Sequence, residues 1–223
     1  TVIYLIFNEG WTAGPGDAPI RTGLCDEAIW LARLMIRLAP DEPEIEGLLA
    51  LMLLAHGRHV ARFDAAGFVP LDDQDRTLWN MALIDEGLGL LDLAMSRRVP
   101  GPFQIQAAIS ALHVQADSPE TCDWPQILLL YDRLMALAPS PVVALNRAVA
   151  LAETGALGRA RRDMQTLESE LAQYQPFHAA LADLARRAGD RTAALESYDR
   201  AIQLSQNSRE KDWLQDQRAT LAQ

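Results

Sequence analysis

Two histidines and a group of aspartates are the residues of this sequence whose types and spacing come nearest to a reactive site. His56 and His59 lie three positions apart, a spacing that can bring two imidazoles to one helix face for zinc. Gly57 interrupts the helix between them, and no carboxylate completes the motif in register. The pattern therefore favours a helix end with one packed and one exposed histidine.

The aspartates Asp64, Asp72, Asp73 and Asp75 carry the oxygen ligands that calcium prefers. A calcium loop also needs a glycine at its sharp turn and a closing glutamate, and neither stands at the required position. We expect Asp73 or Asp75 instead to accept backbone N–H hydrogen bonds at a helix N-terminus.

Nucleophilic catalysis is also poorly supported. Cys25 falls on an apolar helix stripe, and Cys122 stands between Glu120 and Asp123, whose charges disfavour a thiolate. The chain has no Gly-Lys-Ser/Thr phosphate loop and no Gly-x-Ser-x-Gly elbow. We therefore expect no catalytic residue, no metal and no cofactor. A metal-dependent enzyme that uses His56, His59 and the aspartates is the less favoured alternative.

Composition limits the remaining function classes. The chain has 223 residues, 49% of them apolar, and a net charge of −10, which disfavours a broad basic face for nucleic acid. Only one of its 20 basic residues is a lysine, a bias that we attribute to coding preference. Two cysteines fit a reducing cytoplasm, and the apolar runs are too short to cross a membrane. Because the chain begins at Thr1 and not at methionine, we expect a segment of a longer protein.

Apolar residues recur at spacings of three and four, which predicts amphipathic helices throughout. One stripe lies in the stretch 28–38, another in 48–56 and a third in 127–137. Prolines lie between the stripes, where helices begin or end. Gly57, Gly155 and Gly189 follow stripes, which predicts left-handed residues at three helix ends.

A repeat appears in the last third of the chain. Gly189 follows Gly155 at the period of a tetratricopeptide (TPR) repeat, about 34 residues. Ala182 and Ala194 follow Ala148 and Ala160 at the same period. In the TPR pattern, two antiparallel helices touch at such small residues. The sequence thus predicts an all-α, TPR-like antiparallel helix-pair solenoid with a loop and a hairpin-like insertion.

We interpret residues 1–223 as a single domain. Residues 1–120 form divergent helix pairs with insertions at 8–23 and 60–76, and residues 121–223 form more regular units. Within 60–76, the stretch 62–69 resembles a small β-hairpin around Gly67. Since long insertions in repeat proteins are often functional, we expect specificity to lie in these two.

The first helix of each TPR unit lines the concave face of an array. Here that face would show Val142, Leu145, Val149 and Glu153, followed by Ala179, Asp183 and Arg186 from the next unit. Asn146 stands where peptide-binding repeats often keep an asparagine. Its equivalent is Ala180, so a full carboxylate clamp is not present, and a free-standing TPR peptide-binding adaptor stays an alternative.

Seven blocks of the sequence stand out, in this order: residues 4–10, 24–29, 47–52, 73–79, 104–109, 123–124 and 139–150. Together they resemble the C-terminal extension of a bacterial extracytoplasmic-function (ECF) RNA polymerase sigma factor. The resemblance is to the group whose sigma regions are followed by a TPR-like domain, and it extends to about Gly155.

The resemblance implies a non-enzymatic regulatory domain that modulates transcription initiation. Its expected partners are its own sigma regions, which would precede Thr1, the RNA polymerase core and a protein of the YCII-related type. Promoter DNA would be bound only through the preceding regions. We expect a cytoplasmic location and no contact with a membrane.

The predicted interaction surface combines two polar blocks that a core does not explain, at 8–9 and 73–76, with Trp79 and with residues of the concave repeat face. Its residues are Asn8, Glu9, Asp73, Gln74, Asp75, Arg76, Trp79, Asn146, Asp183 and Arg186. Two interpretations of the blocks at 8–9 and 73–76 stay open. They contact a partner, or they tie the two insertions to the helices through buried hydrogen bonds. Arg76 and Trp79 are three residues apart, which allows a cation–π contact.

Overall fold

The structure is a computed structural model that describes residues 2–11, 21–65 and 67–222. It divides into two compact units, and the main boundary in the chain lies between Asp123 and Trp124. The sequence alone predicts a single domain. The helices of the first unit are α1 (Val2–Trp11), α2 (Thr22–Leu38), α3 (Pro43–His56), α4 (Met81–Ser96) and α5 (Pro102–Gln115). Those of the second are α6 (Trp124–Leu137), α7 (Pro141–Glu153), α8 (Leu157–Gln165), α9 (Glu168–Leu171), α10 (Gln175–Arg187), α11 (Arg191–Leu204) and α12 (Ser208–Ala222).

Helix α3 is the centre of the first unit. All residues from Glu46 to Leu54 are buried, so the helix is covered on every side rather than along one stripe. It packs against α2, α4 and α5, and α1 packs against α2. The apolar stripe predicted at 48–56 is therefore only part of the buried surface of this helix.

The contact between α3 and α5 is a backbone contact. A Cβ atom on Gly47 would lie 2.7 Å from the backbone nitrogen of Gln104, a distance that only glycine permits. One turn earlier, Glu44 accepts hydrogen bonds from the backbone N–H groups of Phe103 (3.0 Å) and Gln104 (3.1 Å). The carboxylate of Glu44 on α3 thus caps the N-terminus of α5.

Two further polar side chains complete this junction. Gln104 is fully buried and donates through Nε2 to Glu44 Oε1 and to the Val99 carbonyl. Glu46 is buried and receives a hydrogen bond of 2.8 Å from Arg97 Nη2. Because a buried polar group without a partner is costly, these bonds fix α3, α4 and α5 to one register.

The second unit contains the predicted repeat. Helix α10 begins and ends one repeat period after α7, and α11 begins one period after α8. Its predicted contact residues, Ala148, Ala160, Ala182 and Ala194, are all buried. The second helix of the first pair is broken, since α8 ends at Gln165 and α9 follows as a single turn.

Two of the three predicted left-handed glycines are confirmed. Gly155 has φ +88° and Gly189 has φ +74°. For Gly57 the prediction is wrong, because its φ is −57°. This glycine is needed for space instead: a Cβ there would lie 2.8 Å from Ile84 Cγ1, and its carbonyl accepts from the N–H of Asn80 at 2.7 Å.

The insertions differ from their predicted bounds. Residues 8–11 continue α1 and residues 22–23 begin α2, so the predicted loop over 8–23 is wrong at both ends. Its middle, 12–20, lies outside the described residues. In the insertion at 60–76, whose Ala66 lies outside the described residues, the part of the hairpin that is described contains one antiparallel bridge, between Phe63 and Phe68. The rest consists of 3₁₀ turns at His59–Arg62 and Leu71–Asp73, and a third follows at Arg76–Leu78.

The α3–α5 contact gives a stability prediction. We expect Gly47→Ala to lower the free energy of unfolding by about 1–3 kcal/mol, because the new methyl group meets the Gln104 backbone. Urea denaturation measures the change. The matched control is Gly89→Ala in α4, where an added Cβ meets no atom within 4 Å. The free energy of unfolding of that variant should rise by about 0.5–1 kcal/mol, because alanine is more stable than glycine in a helix. Equal effects of the two substitutions would contradict the assigned contact.

Candidate interaction surfaces

The end of α1 presents the first predicted pair. Asn8 is half-buried, and Glu9 is exposed and forms an ion pair of 2.7 Å with Arg21, at the start of α2. Such exposed pairs contribute little to stability. Glu9 is therefore accessible to a partner, at the cost of this one exchangeable contact.

The block 73–79 is held by its own hydrogen bonds. Asp75 accepts from the Thr77 hydroxyl at 2.7 Å and from the Thr77 N–H at 2.9 Å, so it caps the following 3₁₀ turn as predicted. These bonds hold the pKa of Asp75 below its ordinary value. Gln74 is buried and donates to the Val69 carbonyl at 3.4 Å. Two of the predicted contact residues thus hold the insertion in place.

Arg76 and Trp79 form the expected cation–π contact. The guanidinium carbon lies 4.6 Å from the centre of the indole ring, and Trp79 is buried. Arg76 also donates through Nη1 to the carbonyl of Ala116, just past the end of α5. Both side chains therefore attach the insertion to the helical core.

Asp73 differs from its neighbours. Its side chain is exposed, and within the described part of the chain its carboxylate makes no hydrogen bond or ion pair. Of the block 73–76, this is the carboxylate that a partner could reach without displacing an internal contact.

The predicted residues of the repeat lie in the second unit. Asn146 is exposed on α7, with Val142 one turn earlier and also exposed. The sequence predicts Leu145 on this face, and that prediction is wrong, because the residue is buried in the core between α7 and α10. Asp183 and Arg186 pair with each other at 2.6 Å.

A further ion pair links the two repeats. Arg187 pairs with Glu153, which stands at the equivalent position of the preceding repeat. Arg187 also lies 3.5 Å from Asp183. The charged residues of the predicted face are therefore joined to one another along α7 and α10.

The histidines are placed for packing. His56 is buried and donates through Nε2 to Asp26 at 3.0 Å, while His59 is half-buried and stacks on its ring at 4.5 Å. Burial and the neighbouring His59 lower the pKa of His56, although Asp26 acts in the opposite direction. The described residues contain no group of three or more side chains that could hold a metal ion.

A cysteine and a histidine also meet in the first unit. Cys122 Sγ and His113 Nδ1 lie 3.6 Å apart, but burial raises the pKa of the thiol and lowers that of the imidazole to about 4. Asp72 and Asp123 raise the pKa of Cys122 further. Both groups are therefore neutral near pH 7, which is the opposite of an activated thiolate–imidazolium pair. Burial similarly raises the pKa of Cys25 to about 11.

Sequence reasoning missed Arg58 and Arg62, the two arginines of the turn after α3. Arg58 donates to the Leu54 carbonyl at 3.1 Å. Arg62 donates to the Trp11 carbonyl at 2.8 Å, and its guanidinium carbon lies 4.4 Å from the centre of the Trp11 ring. The only signal in the sequence was their spacing of four residues beside aromatic side chains. Which carbonyls they would reach depends on how the helices pack.

Comparison with known proteins adds three findings. Residues 1–95 match a family described as a family of unknown function, DUF6596. The chain is 48% identical over all 223 residues to an uncharacterized protein of Rhizobium meliloti (strain 1021) and covers 53% of it. It thus spans about half the length of the curated relative it matches.

The third finding concerns the fold. The crystal structure of a thermophilic TPR protein in Thermus thermophilus superposes with a TM-score of 0.59 at 18% sequence identity. The match covers 90% of this chain and 92% of that one. The prediction of an all-α, TPR-like fold is confirmed. No helix in the described residues is long and apolar enough to span a membrane.

His113 gives a pH prediction. Its pKa is about 4 in the folded chain against 6.5 for the ordinary group, because burial and the nearby Arg58 oppose its charge. Its contribution to stability is therefore present above pH 6.5 and is lost as the pH falls toward 4, by at most about 1.4 kcal/mol per pH unit. We expect His113→Gln to lose less stability than the wild type between pH 7 and 4.5 in urea titrations. Parallel losses in the two proteins would contradict this assignment.

Proposed function

We propose that this chain is a non-enzymatic protein-interaction domain of an ECF-type sigma factor, which modulates transcription initiation by contacting its own sigma regions or RNA polymerase. The observation that carries the interaction role is the helix-pair architecture, whose α7 exposes Val142 and Asn146 while the same helix buries Leu145 and Ala148. A helix that packs on one side and displays apolar and amide groups on the other is suited to bind a polypeptide.

The sigma-factor assignment rests on the seven ordered sequence blocks. One finding is in line with it: the similar Rhizobium protein is about twice as long as this chain. A longer protein leaves room for promoter- and polymerase-binding regions beside this domain. The other proposed partner is a protein of the YCII-related type.

The encoded sequence before Thr1 tests the assignment first. We expect an uninterrupted reading frame that encodes helices of the sigma type. A start codon directly before Thr1 would refute the sigma-factor assignment and favour a free-standing peptide-binding adaptor.

The contact surface is tested in the full-length protein with Asp73→Lys. Because the Asp73 carboxylate has no described internal partner, we expect the free energy of unfolding to change by no more than about 0.5 kcal/mol. If Asp73 contacts a partner, reporter transcription from the factor's own promoter should change severalfold. The matched control is Asp41→Lys, at an exposed aspartate in the turn between α2 and α3. Unchanged transcription, or the same change in both variants, would remove Asp73 from the proposed surface.

A further inference from the structure

Two arginines share one buried indole in the first unit. The guanidinium carbons of Arg76 and Arg58 lie 4.6 Å and 6.0 Å from the ring centre of Trp79. The three residues come from the turn after α3 and from the 3₁₀ turn that precedes α4. The fold thus places two cations beside one aromatic ring.

These arginines lack the carboxylate partners that others in the chain have. Arg33 pairs with Glu86, Arg97 with Glu46, and Arg218 with Asp199. Within the described part of the chain, Arg58 and Arg76 instead make no ion pair and donate to the carbonyls of Leu54 and Ala116. Asp75, the acidic residue next to Arg76, turns its carboxylate to Thr77. Other described arginines without an ion pair, such as Arg37 and Arg98, are exposed to water, whereas Arg58 and Arg76 are half-buried.

The indole itself carries an unsatisfied donor. Trp79 is 7% exposed, and its Nε1 is buried without a hydrogen-bond acceptor among the described residues. A buried donor without an acceptor is costly, so a ligand or a water molecule is expected to receive it. The donor belongs to the same ring that the two guanidinium groups flank.

The charges that act on Arg58 are also positive. Burial, Arg62 and Arg76 lower the pKa of Arg58 to about 10, and no acid offsets them. His113 also approaches Arg58, and its own pKa is lowered, so the imidazole is neutral near pH 7 and brings no counter-charge. The carbonyls at the ends of α3 and α5 offset part of the positive charge, because a helix C-terminus carries a partial negative charge.

We propose that Arg58, Arg76 and the Nε1–H of Trp79 form a binding site for an oxyanion, either a phosphate group or a carboxylate. A guanidinium group offers paired N–H donors that match both of these anions, and the indole N–H adds a further donor. The anion would neutralise two charges that the described chain leaves unpaired and would accept the buried N–H. This site is independent of the proposed function, since it requires no sigma region or polymerase.

Indole N–H resonances test the site directly. Uniformly ¹⁵N-labelled protein is titrated with sodium phosphate, and in a second arm with sodium acetate, at constant ionic strength and pH. The Trp79 signal is identified by its loss in Trp79→Phe. We expect this signal to shift saturably, while the signal of the exposed Trp30 stays in place. The arm that saturates at the lower concentration identifies the anion.

Two variants separate a ligand site from simple packing. Arg76→Lys keeps the charge but loses the paired donors, so the dissociation constant should rise about tenfold, whereas the control Arg33→Lys should leave it unchanged. Trp79→Phe removes the unsatisfied N–H and keeps an aromatic ring face. Without anion, its free energy of unfolding should fall by no more than the loss of ring volume explains. The anion should stabilise the wild type but not this variant. No saturable shift of the wild-type Trp79 signal in either arm, or an unchanged constant in Arg76→Lys, would overturn the proposal.

Discussion

The close approach of helix backbones is the constraint on which this structure depends. In the first unit, Gly47 lets α3 touch the backbone of α5, and the Glu44 carboxylate can then reach the free N–H groups at the start of α5. In the second unit, alanines at the helix crossings do the same for each pair. Because side chains of one carbon or none set these distances, larger residues must fill the grooves beside them, as Met164 and Tyr198 do in the two repeats.

Arginine side chains donate hydrogen bonds to the carbonyl groups that helix C-termini leave free. Short helices leave many C-terminal carbonyls without an intrahelical partner. Arg58, Arg62 and Arg76 donate to the carbonyls of Leu54, Trp11 and Ala116, at or near the ends of α3, α1 and α5. In the second unit Arg187 and Arg200 do so for Ala152 and Ala172. A planar group with several N–H donors can bind a carbonyl and still stack on a ring or pair with a carboxylate. The arginine bias, which composition alone attributes to coding preference, therefore has a structural use here.

The residues of the predicted interaction surface fall into two groups, those that hold the insertion in place and those that a partner can reach. Four of its residues hold the insertion to the helices through hydrogen bonds and a ring contact: Gln74, Asp75, Arg76 and Trp79. For these four, the geometry matches the interpretation that the block ties the insertion to the helices. Asp73 and Glu9 are exposed, and their carboxylates face solvent or a single surface partner. The same short segment thus contains residues that position it and a residue that a partner can reach.

The sequence by itself determined the helical class, the helix-pair repeat and its period, the small residues at the helix crossings and the left-handed glycines at 155 and 189. Each of these depends on local periodicity or on backbone conformation, which neighbouring residues encode. Only the tertiary structure decided that Gly57 serves close packing, that residues 8–11 extend α1, and that Glu44 caps a helix 60 residues away in the chain. It also decided the convergence of Arg58 and Arg76 on Trp79. These contacts join residues far apart in sequence, and their partners are set by how the helices pack, which no local pattern records.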